Sequence, residues 1–128
     1  MKRDLDLYRS LLEHFESLKA GTATVQLDAS KFSCTPHELV EHLELMIEQG
    51  LLCGEAATRF HIPAGGTFCI YRLTAAGHDF LSVSRNDSVW SATKDRMKKA
   101  GVWTFSVIVE ILKEEAKHRF GLLMHGSQ

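Results

Sequence analysis

A chain of 128 residues is long enough to close one hydrophobic core without disulfides or a metal, and a composition of 45% apolar and 24% charged residues is that of a globular protein and not of a disordered chain. No stretch of eighteen or more apolar residues exists to span a bilayer, and Lys2, Arg3 and Asp4 open the chain where a secretory leader would turn apolar, so the expectation is a cytosolic protein. The formal charge of −1 conceals an asymmetry: seven Lys/Arg face eleven Asp/Glu over 1–84, and eight face five over 85–128. Three cysteines, Cys34, Cys53 and Cys69, are odd in number and form no C-x-x-C pair, so they read as small buried apolar residues of a reducing compartment.

In chain order, Leu5, Tyr8, Leu11, Leu12, Phe15 and Leu18 recur at steps of three and four and predict a helix over 4–18, with Asp4 and Asp6 where the helix dipole favours negative charge. A short strand is predicted at 24–27, with Val25 and Leu27 facing inward. The segment 29–34 has room for barely one helical turn. Thr35-Pro36-His37-Glu38 has the form of a capping box with proline at the first helical position. Leu39, Val40, Leu43, Met46 and Ile47 continue it as a buried stripe, and Gly50 is the stop. An extended run over 51–62, a turn at Pro63-Ala64-Gly65-Gly66 and a return over 68–73 predict a β-hairpin. Thr74 caps a helix containing Ala75, Ala76, Phe80 and Leu81. A further helix over 87–99 carries Val89, Trp90, Thr93 and Met97 on one side, and a last one over 104–120 carries Phe105, Ile108, Ile111, Leu112 and Ala116 inward.

Helix, short strand, helix and hairpin, in that order, form the skeleton of a winged helix. The expected fold is therefore α+β and mostly helical: a winged helix-turn-helix-like domain with a β-hairpin wing and extra C-terminal helices. Residues 1–84 form its core, and 85–128 are a helical extension packed on the same single domain. The segment ending Glu48-Gln49-Gly50-Leu51-Leu52 is similar to the recognition helix of that fold. The segment from Tyr71 to Leu81, with Leu73-Thr74 and then Gly77, is similar to the stretch that leaves the wing.

Three further segments carry a family likeness: Lys2-Arg3-Asp4-Leu5-Asp6-Leu7-Tyr8-Arg9, then His42-Leu43 with Gln49-Gly50-Leu51, and then 73–81 running on to Arg85-Asn86-Asp87-Ser88-Val89-Trp90. Across residues 2 to about 100 the chain resembles a family of small bacterial and phage-encoded proteins known as domain of unknown function 2513. That resemblance implies a winged-helix-like fold and association with a prophage or mobile element. It implies no catalytic residue and no ligand.

The positions opposite the buried stripe of the second helix are Glu38, Glu41, His42, Glu44, Leu45, Glu48 and Gln49, with no Lys or Arg between Pro36 and Gly50. A helix entering a DNA groove meets phosphates, so four carboxylates there oppose binding. Glu38, Glu41, His42, Leu45 and Glu48 are accordingly the candidate protein-interaction face. Lys31, Arg59, Arg72, Arg85, Lys94, Lys98 and Lys99 are the candidate nucleic-acid contacts of the competing reading, a transcriptional regulator meeting DNA through the wing and its basic flanks. The plainer reading of the last four is a solvated surface with cations near helix C-termini. Arg85-Asn86-Asp87 is explained by capping of the helix that begins there.

His37 and His42 are five residues apart and do not share a helix face, and the chain contains no H-x-x-x-H pair, phosphate-cradling loop or nucleophile elbow. No cofactor, metal or membrane partner is expected, and no enzymatic activity. The function expected is a protein-interaction or regulatory module, with a homodimer through the C-terminal helices over 102–120 as one form of partner.

Overall fold

The computed structural model of the chain describes residues 3–18, 25–56, 65–101 and 104–126. Among the described residues, five α-helices, one 3-10 turn and three strands succeed one another, and the protein is α+β and mostly helical. The chain divides into two compact units, Met1–His78 and Asp79–Gln128.

In the first unit, helix α1 (Leu5–Ser17) begins where the Asp4 carboxylate accepts hydrogen bonds from the backbone N–H of Asp6 at 3.0 Å and of Leu7 at 3.2 Å. Its buried face comprises Leu5, Leu7, Tyr8, Leu11, Leu12 and Phe15. Leu7 widens the predicted stripe. Leu18 leaves it half-exposed, because as C-cap it is already extended, at ψ 148°. Strand β1 (Val25–Asp28) buries Leu27, whereas the Val25 side chain lies outside the described residues. The short segment that follows is one 3-10 turn, Ala29–Phe32, capped by Asp28 and closed by Ser33 at φ +55°.

Helix α2 (Pro36–Glu48) starts with the predicted capping box in both directions: Thr35 Oγ1 accepts from the Glu38 N–H, and Glu38 Oε1 accepts from the Thr35 N–H, each at 3.1 Å. Leu39, Val40, His42, Leu43 and Met46 are buried, while Ile47, expected among them, is half-exposed.

Strands β2 (Leu52–Ala56) and β3 (Gly65–Leu73) complete an antiparallel sheet of order β1-β3-β2, so the last strand is central. Gly65 and Gly66, read as turn residues, instead belong to β3. They pair with Asp28 and Leu27, and this ladder to a distant strand extends β3 beyond what the local turn signals indicate. Pro63 and Ala64 fall outside the described residues. Leu52 pairs with Leu73 and both are buried, which turns the intervening Cys53 outward by the two-residue period of a strand. Cys53 is thus exposed and Cys34 half-buried, contrary to the expectation of three buried cysteines; the Cys69 side chain lies outside the described residues.

The end of β3 is clasped to the end of α2. The Thr74 N–H donates to the Leu51 carbonyl at 3.1 Å, and its hydroxyl donates to the Gly50 carbonyl while accepting from the Gly77 N–H at 3.0 Å. Gly50 reverses the chain at φ +75°. Gly77 lies so close that a Cβ there would stand 2.1 Å from the Leu51 carbonyl oxygen. Helix α3 (Ala75–Ser84) starts at this clasp.

In the second unit, helix α4 (Asp87–Ala100) is capped by Asn86, whose side-chain oxygen accepts from the Val89 N–H at 3.1 Å, and it ends at Gly101 with φ +68°. Val89, Trp90, Thr93 and Met97 are all buried, as their spacing requires. Helix α5 (Phe105–Gly126) runs six residues past its predicted end at 120. It buries Ile108, Ile111 and Leu112, with Phe105 and Ala116 half-exposed. The Phe80 ring meets Trp90 edge-on at 6.1 Å and stacks on Phe105 at 6.0 Å. Arg96 forks between Glu114 at 2.9 Å and Glu115 at 3.2 Å, an exposed tie of α4 to α5. No helix among the described residues is long and apolar enough to cross a membrane.

Two outcomes follow from these contacts. Gly77→Ala drives a methyl into backbone that cannot yield without breaking the clasp, and urea denaturation should show a loss of about 1–3 kcal/mol. Hydrogen bonds from the Thr35 backbone N–H and then from its side chain hold the Glu38 carboxyl below the usual glutamate range. A depressed folded-state value stabilises above the unfolded value and is lost as pH falls through the folded one, so acid titration of stability should be less steep in Glu38→Gln than in the unsubstituted chain.

Candidate functional site

The outward face of α2 depends on how the helix is turned about its axis, and a polar contact sets that turn. The His42 ring is fully buried. Its Nε2 accepts the backbone N–H of Asp4 at 2.9 Å, which places the ring proton on Nδ1, where it donates to the Glu38 carbonyl at 2.7 Å. Tyr8, also fully buried, meets the His42 ring edge-on at 5.9 Å and donates its hydroxyl to Gln49 Oε1 at 3.0 Å. The Arg3 guanidinium lies over the Tyr8 ring, 5.9 Å from its centroid. Burial pushes the Tyr8 phenol above its ordinary range, against the opposing pull of Arg3.

This corrects the interaction face read from the sequence. His42 does not point outward. It lies between Leu39 and Leu43 on the inner side, and its two ring nitrogens give an otherwise apolar face two backbone anchors. Glu38 is half-buried and its carboxylate serves the capping box, while Gln49 is engaged by Tyr8. Glu41 and Glu48 are exposed, beside the exposed His37 and the half-exposed Glu44 and Leu45. The open face of α2 is therefore acidic, with a small apolar centre at Leu45, and no Lys or Arg lies between residues 36 and 50.

The candidate nucleic-acid contacts do not collect into one patch within either unit. Lys31 is exposed just past Asp28, which pairs with Gly65, while the exposed Arg72 pairs with Cys53 seven residues further along β3, a run of roughly 23 Å at strand rise. The Arg72 guanidinium also donates to the Leu73 carbonyl at 3.0 Å. Arg59 lies outside the described residues. In the second unit Arg85 precedes α4, Lys94 is half-exposed along it, and Lys98 and Lys99 occupy its last turn, about 20 Å from Arg85 at helix rise, where the dipole favours cations. Among the described residues no group of three or more His, Cys, Asp or Glu is placed to hold a metal ion.

The anchoring role of His42 has a direct check. His42→Leu leaves the Asp4 N–H without its partner and should cost about 1–3 kcal/mol in denaturant unfolding. His42→Gln, which keeps an acceptor on a side chain of similar reach, should recover part of the loss.

Among known proteins, no curated protein and no solved structure matches the chain. One family model does, covering residues 2–103, which include α1 to α4 and the whole sheet but not α5. The chain belongs to that family, described as hypothetical protein (DUF2513).

Proposed function

We propose that this protein is a non-enzymatic, winged-helix-like interaction module whose acidic α2 face engages a basic surface on a partner protein. The order α1, β1, turn, α2, β2, β3 and the sheet order β1-β3-β2 support the winged-helix reading. A regulatory setting in a prophage or mobile element belongs to this reading on the family likeness alone.

One observation carries it: Glu41 and Glu48 stand exposed on the helix that would enter a DNA groove, without a cation from 36 to 50 to offset them. DNA-binding domains neutralise several phosphates, and each such contact steepens the loss of affinity with salt. Carboxylates brought to the same place add repulsion in a site of reduced dielectric. A basic protein surface inverts that sign: it gains from steering by Glu41 and Glu48 and covers Leu45 at the centre, the usual arrangement of a polar rim around an apolar core.

The test is binding of an arginine-rich peptide and of random duplex DNA to the same chain at low and moderate salt. The peptide should bind in a salt-sensitive way and lose most of its affinity to Glu41→Lys/Glu48→Lys, while duplex DNA should not be retained. The two substituted side chains are exposed, so the double variant should keep its melting temperature. Peptide binding indifferent to both substitutions, or duplex binding by the unsubstituted chain that falls steeply with salt, overturns the reading.

A further inference from the structure

The second unit carries a surface that the α2 reading does not use. From Lys117 to Phe120 every residue of α5 is exposed, including Arg119, which follows Ile108, Ile111 and Leu112 on the helix's inward stripe. The helix therefore outruns its cover, yet its sequence does not turn polar: Phe120 is 64% exposed and Leu122-Leu123-Met124 follow it. Beside Phe120 lies an open hollow of about 150 Å³, walled by Val83, Val89 and Ala116 with Ser82, Asn86 and Arg119 at its rim. A cavity of that order accepts a benzene ring.

We infer that this surface pairs with a second copy of the chain, the Phe120 ring of each copy seated in the hollow of the other. A knob and a hole side by side on one surface are what a two-fold interface requires, since each contact is then made twice. The charges around the hollow fit the same occupant. Arg119 stands at its rim with the exposed Lys117 two residues before it on α5, and the exposed Asp79 lies about one helical turn before Val83 on the opposite, α3 wall. When α5 of one copy lies over the opposite wall of the other, bases meet acids on both sides of the axis. A patch this small makes a weak, reversible pair rather than an obligate one.

Sedimentation equilibrium of the full chain from micromolar to millimolar concentration tests the pairing. The unsubstituted chain should dimerise reversibly. Phe120→Ala should weaken the dimer about tenfold or more, with the melting temperature of the dilute protein unchanged. Arg119→Asp should weaken it independently, and adding Asp79→Arg should restore it. Glu41→Lys/Glu48→Lys should leave association intact, which separates this surface from the α2 face. A chain still monomeric at millimolar concentration, or a Phe120→Ala variant that associates as tightly as the parent, overturns the inference, and so does an Arg119→Asp variant whose association is unchanged.

Discussion

A histidine with both ring nitrogens on backbone atoms governs what the first unit shows to solvent. Apolar packing is non-directional, so the stripe of Leu39, Val40, Leu43 and Met46 sets the turn of the helix about its axis less sharply than a hydrogen bond does. The Asp4 N–H aimed at Nε2 of a buried His42 removes the remaining freedom, since only one rotation of α2 brings the ring to the first residues of the chain. Tyr8 reinforces the choice from α1, one end packed against His42 and the other donating to Gln49. Glu41 and Glu48 are left in solvent as a consequence, so the acidic character of the open face is a result of the buried contact behind it.

The clasp at the far end of α2 works with different chemistry toward the same end. Gly50 reverses the chain so that its own N–H and that of Leu51 close the terminal Ile47 and Met46 carbonyls of α2, Thr74 satisfies the Gly50 and Leu51 carbonyls just beyond the helix, and Gly77 is small enough for the next helix to begin against that backbone. With Asp4 on His42 at its middle and Thr74 and Gly77 against the residues just past its C-terminus, α2 is held by polar contacts to segments remote in sequence. A rigid helix is the appropriate carrier for an electrostatic surface, because ordering flexible side-chain carriers on binding would offset much of the gain.

The two units use surfaces of different kinds. On α2 the recognition chemistry is charge around a small apolar centre; on α5 it is an aromatic ring and a hollow with charge at the edge. Charge sets approach and salt sensitivity, and a desolvated ring sets the lifetime of a contact. The family match ends at residue 103, before α5 begins, so the acidic helix lies within the part shared with relatives and the aromatic overhang lies outside it.

Much of the fold was legible because it is written in short-range patterns. The capping box at Thr35 and Glu38, the cap at Asn86 and the stripe of Val89, Trp90, Thr93 and Met97 are local, and local steric and hydrogen-bonding rules determine them before any tertiary contact exists. At Gly65, Gly66 and His42 a distant partner decided the matter. Gly65 and Gly66 have turn chemistry, but their ladder to β1 makes them strand. His42 is polar and adjacent to Glu41, which reads as surface until Asp4, thirty-eight residues earlier, is seen to supply its N–H. The sequence by itself determined the elements, their order and the acidic content of α2, since these depend on neighbours within a turn or two. Only the tertiary structure decided which of those side chains reach solvent and that Phe120 stands beside a hollow of matching size, because burial and juxtaposition are set by contacts between residues that the chain order keeps far apart.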